Sequence, residues 1–417
     1  MEKKLKAFAA AVAGVMAFVF VLVLVLGLSK SPSAEDVINS VLETTQSDEK
    51  IQPDQSGNSG EDTEITEQKD SLTLSFIGDC IIGSESGRIN DGNFSYMAAN
   101  SPHTYFFSQV VEELSKDDFT VANMECVLTD RELEKIGKDY SPAFWYKAPT
   151  SSTDILTLGS VEVASVVNNH VGDYGDEGYN DTVKALKDYG LQVGENLIPL
   201  YLEKNGIKIG LLSCNLWSSY NVSYIEKALK TMQDTCDYKI VFFHGGTEGI
   251  HEPDNYKIDA CRYLANSGLC DLIVGSHPHV LQPLEYIDGV PILYSLGNFC
   301  YSASNYPDNQ TVIFRVELKK DEERIKSETE LIPCYVYTGY INNYQPALMS
   351  DGEDKENTLA LMNSKVDYRA ETTAPTTQPA TEVPVTVPVT EAPTEEDELQ
   401  DDYYLVEEDF QGVPVPY

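Results

Sequence analysis

The chain has 417 residues and a formal net charge of -38 at pH 7. This excess of acid excludes nucleic acid as a partner, because the chain cannot replace the counterions of a phosphate backbone. The sequence also lacks a P-loop, a Gly-x-Ser-x-Gly elbow and a dinucleotide fingerprint, so ATP-driven and serine-hydrolase functions lose their usual support.

The first residues predict a membrane anchor. Residues 1–6 are basic and residues 7–28 contain no charged side chain, which is roughly the 20-residue length that a helix needs to cross hydrocarbon. Because lysines stay on the cytoplasmic side, we expect a cytoplasmic stub at 1–6, a single-pass transmembrane helix at 7–28 of the cell membrane, and an extracellular remainder. A cleaved signal peptide is the alternative, although residues 29–34 form only a mediocre cleavage site.

Two segments that flank the central part are too polar to fold. Residues 29–70 are rich in Ser, Asp, Glu, Gln and Thr, so they bury too little apolar surface to offset the entropy of ordering and predict a disordered stalk. Residues 346–417 contain a Thr/Pro-rich spacer and acidic runs, which predict a disordered tail. The working domain is therefore expected at residues 71–345.

Residues 71–345 alternate between strand-like and helical patterns, which predicts a layered α/β domain. Strand-like apolar runs lie at residues 72–77, 119–122, 161–167, 207–213, 238–244 and 271–276. Apolar residues at helical spacing lie at 105–114, 150–158, 179–189 and 254–266. Close-set strands follow from residue 284, where the turn at Asp288-Gly289 predicts a hairpin.

Polar side chains stand where the strand-like runs end. They are Asp79, Glu125, Asn169 with His170, His244, and His277 with His279. Taken singly, Asp79 could cap a helix, Glu125 could pair with a lysine, and the histidines could bond to backbone. Because parallel strands bring such ends to one edge of a sheet, we expect these residues to form one site. Carboxylate, amide and imidazole ligands suit divalent Mn, Fe or Zn, so the sequence predicts a metal site there.

The cysteines do not form a recognisable framework. The sequence has eight of them at scattered positions, matching neither a small disulfide scaffold nor a zinc finger. Several are expected in the core. Cys80 and Cys126 each follow a candidate ligand at a strand end and would be neighbours, so a disulfide between them is one alternative.

Six motifs follow one another in order at the strand ends: Gly78-Asp79, Asn123-x-Glu125, Asn168-Asn169-His170-x-x-Asp173-x-Gly175, His244-Gly245-Gly246-x-Glu248, Gly275-Ser276-His277-Pro278-His279-Val280 and Ser295-Leu296-Gly297-Asn298-Phe299. In this order they resemble the CapA family of poly-γ-glutamate capsule-synthesis proteins over residues 71–340. The resemblance implies a variant of the calcineurin-like metallophosphoesterase fold, a four-layer αββα sandwich with two sheets between helices. It also implies a membrane-anchored extracellular domain.

The same resemblance implies roles for individual residues. One divalent metal would be held by Asp79, Glu125 and His279, and a second by Glu125, Asn169, His244 and His277. His170 would be the acid near the leaving group, and Asp173 and Glu248 are candidate catalytic residues in the same motifs. Two positions depart from the phosphoesterase pattern: Ile81 occupies the position of a histidine, and Glu125 occupies the position of an aspartate. Gly245 stands where the CapA family usually has tryptophan, which predicts a wider cleft.

Three functions are compatible with the sequence. The first is a metal-dependent hydrolase-like domain acting on a phosphorylated substrate during capsule or cell-envelope polymer biosynthesis. The second is a non-catalytic subunit of a polymer synthase or exporter complex that binds an anionic polymer such as poly-γ-glutamate. A scaffold that uses only the anchor, stalk and tail is the third.

Overall fold

The structure, a computed structural model, describes residues 71–85, 92–138, 142–302, 308–321, 324–339 and 341–369. The predicted anchor at 7–28, the predicted stalk at 29–70 and the tail beyond residue 369 lie outside these residues. Within the described ranges, no helix combines the length and the apolar composition that a membrane span requires.

The described residues alternate strands and helices along most of the chain. The strands are β1 (Ser71–Cys80), β2 (Ser84–Glu85), β3 (Phe119–Met124), β4 (Val127–Leu128), β5 (Tyr146–Ala148), β6 (Val163–Ser165), β7 (Gln192–Gly194), β8 (Leu200–Lys204), β9 (Ile207–Asn215), β10 (Tyr238–His244), β11 (Leu272–Ser276), β12 (Leu281–Ile287), β13 (Val290–Leu296), β14 (Asn298–Cys300), β15 (Gln310–Asp321), β16 (Arg324–Tyr335) and β17 (Ala347–Leu348). The helices are α1 (Phe94–Asn100), α2 (Thr104–Phe107), α3 (Val111–Leu114), α4 (Asp154–Thr157), α5 (Gly175–Asp188), α6 (Asn221–Met232), α7 (Asn255–Asn266) and α8 (Glu353–Met362), with a 3-10 turn at Thr150–Thr153.

The strands form two large mixed sheets and one small one. The first sheet has the order β17-β16-β15-β1-β3-β6-β7, with β14 beside the end of β1, and the second has the order β12-β13-β11-β10-β9-β8. Within them, β1, β3, β6 and β7 run parallel, as do β9, β10, β11 and β13. The small sheet has the order β2-β5-β4.

The two large sheets pack face to face, with helices outside. Between them lies an apolar cluster in which Phe76 of β1 meets Phe242 of β10, the ring centroids 6.0 Å apart. A second cluster covers the outer face of the first sheet and includes Phe106, Leu156 and Leu186 from the helical segments. A third covers the outer face of the second sheet with residues of α6 and α7. The predicted α/β domain with two sheets between helices is thus the arrangement observed.

Most of the predicted elements are present, with shifted ends. The helix predicted over 105–114 is two short helices, α2 and α3, because Val110 between them has a non-helical φ of -130°. The segment predicted as a helix over 150–158 begins as a 3-10 turn and continues as α4. The hairpin at Asp288-Gly289 joins β12 to β13, and both turn residues have positive φ, 48° and 86°, as a primed two-residue turn requires.

The folded domain continues past residue 345, the boundary predicted from the sequence. Strand β17 pairs with β16, and α8 packs beside β12 and β16 with Met362 fully buried between the sheets. Arg369 is also fixed in place: its N–H donates to Asn255 Oδ1 at 2.8 Å, and Asn255 Nδ2 donates to its carbonyl at 3.0 Å. The predicted disordered tail therefore begins too early, since residues 346–369 contribute to the core.

Candidate metal centre

The candidate site lies where strand ends of both large sheets meet. Asp79 stands near the end of β1, Glu125 follows β3 and Asn169 follows β6, all in the first sheet. His244 ends β10, and His277 follows β11 in the second sheet. The sequence predicted that these residues would share one sheet edge, but the site bridges two sheets. All six predicted metal-ligand candidates, including His279, come together there.

A first group consists of Asp79, Glu125 and His279, whose candidate ligand atoms all lie within 4.8 Å of one another. His279 Nδ1 lies 3.0 Å from Asp79 Oδ2, and His279 Nε2 lies 4.0 Å from Glu125 Oε1. Both carboxylates are fully buried. This is the set that the family resemblance assigns to one metal ion.

A second group consists of Glu125, His244 and His277, again within 4.8 Å. Asn169 joins it, because its Oδ1 lies 2.8 Å from His244 Nε2, and Glu125 Oε1 lies 3.5 Å from the same nitrogen. Two ligands bound at right angles with bonds of about 2.1 Å lie about 3 Å apart, so these spacings suit the ligands of one ion. Glu125 is common to both groups.

Glu248 lies at the rim of the site. Its carboxylate is 4.0 Å from His277 Nε2, and its side chain is 62% exposed. It forms a third group with His277 and His279. Glu248 can therefore reach a metal ion or a substrate at the mouth of the site.

Asn123 holds the two buried carboxylates together. Its Nδ2 donates to Asp79 Oδ1 at 2.7 Å and to Glu125 Oε2 at 3.0 Å. Asn168 supports it from behind, donating from Nδ2 to Asn123 Oδ1 at 3.1 Å. A neutral amide thus offsets part of the repulsion between two carboxylates and fixes their orientation toward the histidines.

Burial and neighbouring charges set the protonation of the site. Burial raises the pKa of Glu125 well above its usual range, and the charge of Asp79 adds to this rise. Burial lowers the pKa of both His244 and His277 well below the usual value, with the neighbouring imidazoles contributing. For His279 burial also acts to lower the pKa, but the carboxylates of Glu125 and Asp79 outweigh it and raise the pKa to about 10. A divalent cation binds ionised carboxylates and uncharged imidazoles, so its binding here would displace the protons of Glu125 and His279.

The residues present fit a metal ion. Glu125 Oε1 is buried and has no hydrogen-bond partner among the described residues, although it faces His244 Nε2 and His279 Nε2. An unpartnered buried oxygen is unfavourable, and a cation would supply its partner. His277 and His279 also have φ values of 98° and 59°, a left-handed conformation that costs about 1–3 kcal/mol at a residue other than glycine and accumulates at functional sites.

His170 stands beside the cluster rather than in it. Its Nδ1 lies 2.9 Å from Asp173 Oδ2, and its ring packs edge-on against Tyr146 with the centroids 4.7 Å apart. Tyr146 in turn accepts a hydrogen bond from Tyr301 OH at 2.7 Å. Burial lowers the pKa of His170, partly opposed by Asp173. The Asp173 side chain is fully buried, and its contact with the site is through His170.

Trp217 is a functional candidate that the sequence analysis missed. Its ring packs edge-on against His277 and His244, with centroid distances of 4.6 and 5.6 Å. Its position in the sequence could have indicated this, because Trp217 follows strand β9 and so lies at a strand end, as the predicted ligands do. Asn123 and Asn298 were also missed as site residues, although both occur in the quoted motifs. Asn298 Oδ1 lies 2.9 Å from His279 Nδ1.

The sequence predicted a wider cleft at Gly245, and the structure gives a packing reason for this glycine. A Cβ at this position would lie 2.0 Å from the carbonyl oxygen of Leu216, so the glycine permits a close approach of two backbones. The aromatic wall on this side is supplied by Trp217. Ile81, at the position of the missing histidine, is buried in the apolar cluster, and Cys80 and Cys126 are both free thiols.

Comparison with known proteins confirms the family. The family profile described as bacterial capsule synthesis protein PGA_cap matches residues 73–303, more than half of the chain, and the protein belongs to this family. It is 27% identical over 304 residues to the capsule biosynthesis protein CapA of Bacillus anthracis, covering 65% of this chain and 69% of that protein. It is 25% identical over 278 residues to the PGA biosynthesis protein CapA of Bacillus subtilis (strain 168), covering 61% and 70%.

Among solved structures, the chain is similar to a hypothetical protein from Thermus thermophilus. The similarity covers 62% of this chain and 99% of that one, with a TM-score of 0.38 and 14% sequence identity.

Proposed function

We propose that this chain is a membrane-anchored, extracytoplasmic CapA-like protein of capsule or cell-envelope polymer biosynthesis, and that its domain is a metal-dependent hydrolase of the metallophosphatase type. The family membership supports the pathway. The reaction class is supported chiefly by one observation, the unpartnered Oε1 of Glu125 from the first sheet, which faces His244 and His279 from the second sheet. The order of layers, with two sheets between helices, is that of the metallophosphatase fold.

Two divalent ions, of Mn, Fe or Zn, would be held by the two groups that share Glu125. When bound, such ions supply Lewis acidity that stabilises charge on the oxygens of a phosphoryl group or another tetrahedral centre. The protein's own contribution is orientation. Asn123 orients Asp79 and Glu125, and Asn298 Oδ1 accepts a hydrogen bond from His279 Nδ1.

The side chains around the ligands define where a substrate would lie. Trp217 covers His277 on one side, and Tyr146 with Tyr301 lines the side of His170. His170 is placed to exchange a proton with a leaving oxygen, a role that typically contributes about 10²–10⁴ in rate. Glu248 is exposed at the mouth, where it can bind a substrate amine or hydroxyl.

The substrate would be a phosphorylated compound or a γ-glutamyl polymer, and the partners would be subunits of a polymer synthase or exporter in the same membrane. The names of the two CapA relatives concern capsule and PGA biosynthesis. With a net charge of -38, binding of an anionic polymer requires local cations, and metal ions in the site would provide them.

Metal analysis of the full-length protein tests this proposal. Purified wild type is expected to retain about two ions per chain, whereas a His244→Ala/His277→Ala variant loses them. His103→Ala is the matched control, because His103 lies at the start of α2, away from the ligand groups. Equal metal content in wild type and double variant would reject the site.

A substrate screen then separates the two functions. Phosphomonoesters, phosphodiesters and γ-glutamyl peptides are offered to the metal-loaded wild type and to the double variant. Turnover that disappears in the double variant supports a hydrolase. Binding of γ-glutamyl polymer without turnover of any compound would favour the non-catalytic polymer-handling subunit instead.

A further inference from the structure

A buried lysine lies behind the candidate proton-transfer residue. Lys138 Nζ is 2.5 Å from Asp173 Oδ1, and the two side chains are only 1% and 0% exposed. The ammonium also donates to the carbonyl of Phe144 at 2.8 Å. Buried ion pairs contribute little net stability, because desolvation of both charges offsets their attraction. The pair therefore calls for a reason other than stability.

The other oxygen of Asp173 supplies that reason. Asp173 Oδ2 accepts a hydrogen bond from the backbone N–H of Tyr146 at 2.8 Å and lies 2.9 Å from His170 Nδ1. In this ion pair Asp173 is a carboxylate, which can only accept hydrogen bonds. His170 must then donate from Nδ1, which makes Nε2 the acceptor nitrogen of the ring.

We propose that Lys138 is a positioning residue whose buried ammonium keeps Asp173 an obligatory acceptor and so fixes the ring proton of His170 on Nδ1. Without the lysine charge, this buried carboxylate lacks a cationic partner, and a neutral carboxyl group that donates a hydrogen bond is favoured over an unpaired buried charge. His170 Nδ1 would then have to accept, and its proton would move to Nε2. The tautomer assignment stands by itself, whereas its catalytic consequence rests on the proposed hydrolase function.

The tautomer is measurable without any substrate. In full-length protein labelled with ¹⁵N-histidine, solid-state ¹⁵N NMR distinguishes protonated from bare ring nitrogens, and the His170 signals are identified by their loss in His170→Ala. Wild type and Lys138→Arg are expected to show a protonated Nδ1, and Lys138→Met a protonated Nε2. Lys135→Met is the matched control, because Lys135 is an exposed lysine of the same segment, and it should match wild type.

Two results would overturn the proposal. One is a wild type with the proton on Nε2, and the other is a Lys138→Met variant with the wild-type tautomer at an unchanged melting temperature. If Lys138→Met does not fold, Lys138→Gln takes its place, since the amide keeps a donor toward Asp173 but carries no charge. Lys138→Gln is expected to show the protonated Nε2 expected of Lys138→Met. A protonated Nδ1, as in wild type, would show that the charge of Lys138 does not fix the tautomer of His170.

Kinetics supply the second readout, with p-nitrophenyl phosphate as the probe. Lys138→Met should lower kcat by at least about tenfold, leave KM within roughly twofold, and recover in Lys138→Arg. A purely structural lysine would instead change the melting temperature and leave kcat per folded molecule unaltered, which would refute the positioning role. The wild type could fail to turn over the probe while Lys138→Met still shows the expected change of tautomer. That result would reject the hydrolase function and leave the positioning role of Lys138 supported.

Discussion

Glu125 and His244 approach each other from different sheets, with Glu125 Oε1 3.5 Å from His244 Nε2. A metal ion bound by both would join the two sheets at one end. Such a ligand binds the folded state and not the unfolded one, so it stabilises the protein by about 2.7 kcal/mol at a concentration a hundred times its Kd.

We therefore expect a chelator to lower the melting temperature. For a domain of this size about 1 kcal/mol corresponds to roughly 2–4 °C, so EDTA should lower Tm by roughly 5 °C or more. Differential scanning calorimetry of the full-length protein measures this change. The His244→Ala/His277→Ala variant should show no response to EDTA, and an equal response in both proteins would mean that the ion binds elsewhere.

Asn123→Ala should weaken metal binding without removing a ligand. The substitution deletes the amide that bonds to both Asp79 and Glu125. Loss of a residue that orients metal ligands typically reduces affinity by about 10–100-fold. Titration calorimetry with Mn²⁺ or Zn²⁺ on the metal-free protein gives the ratio. Asn100→Ala is the control, since among the described residues that amide donates to the carbonyl of Tyr96, outside the site. An Asn123→Ala affinity within twofold of wild type would contradict the orienting role of Asn123.

Lys257 should make stability depend on pH in the alkaline range. Its side chain is fully buried, its Nζ donates to Gln282 Oε1 at 2.6 Å, and burial lowers its pKa from 10.5 to about 8. Between these two values the unfolded chain binds more protons than the folded one, so the free energy of unfolding rises with pH across this window, by at most about 1.4 kcal/mol per unit.

Below a pH of about 8 both states carry the proton, and the contribution of Lys257 becomes constant. Urea unfolding at several pH values, compared with Lys257→Met, isolates this group from the other lysines. The difference in unfolding free energy between wild type and variant should shift in favour of wild type from pH 8 to 10.5. A difference that stays flat over the window would show that burial does not perturb Lys257.

Gly245→Trp, which introduces the residue that the family resemblance leads us to expect here, should destabilise this protein. Any Cβ at this position meets the Leu216 carbonyl, so the backbone must move. Overpacking of this kind costs typically about 1–3 kcal/mol. Gly172→Ala is the control, because nothing lies within 4 Å of its added Cβ, and it should change stability by less than about 0.5 kcal/mol. Chemical denaturation that gave equal stabilities would mean that the Leu216 backbone adapts freely.

The ligand candidates could be predicted because the sequence changes abruptly from apolar to polar residues at the end of a buried strand, and each candidate lies at or just after such a change. What could not be predicted is which strands pair, since pairing of β1 with β3 and of β10 with β11 depends on contacts between distant residues. A site that bridges two sheets therefore looked like a site on one edge. The family resemblance, and not the pattern of residues, gave the grouping of ligands around Glu125.

Other features left no local pattern to detect. Lys138 lies in an irregular segment with no periodicity, and its partner Asp173 is distant in sequence. Helix α8 buries only Thr358 and Met362, so its polar residues are consistent with a tail. Gly245 is compatible with several environments, and only the position of the Leu216 carbonyl shows why a glycine is there.

The positive φ values of His277 and His279 bear on how this sequence can drift over generations. Glycine or asparagine would occupy either position at lower backbone cost. Selection for folding alone would thus tend to replace both histidines in any lineage that had abandoned the chemistry of the site. We therefore expect relatives that keep the chemistry to keep the Ser-His-Pro-His segment, and its decay to Ser-Gly-Pro-Asn or a similar sequence would mark a descendant in which only the scaffold is still under selection.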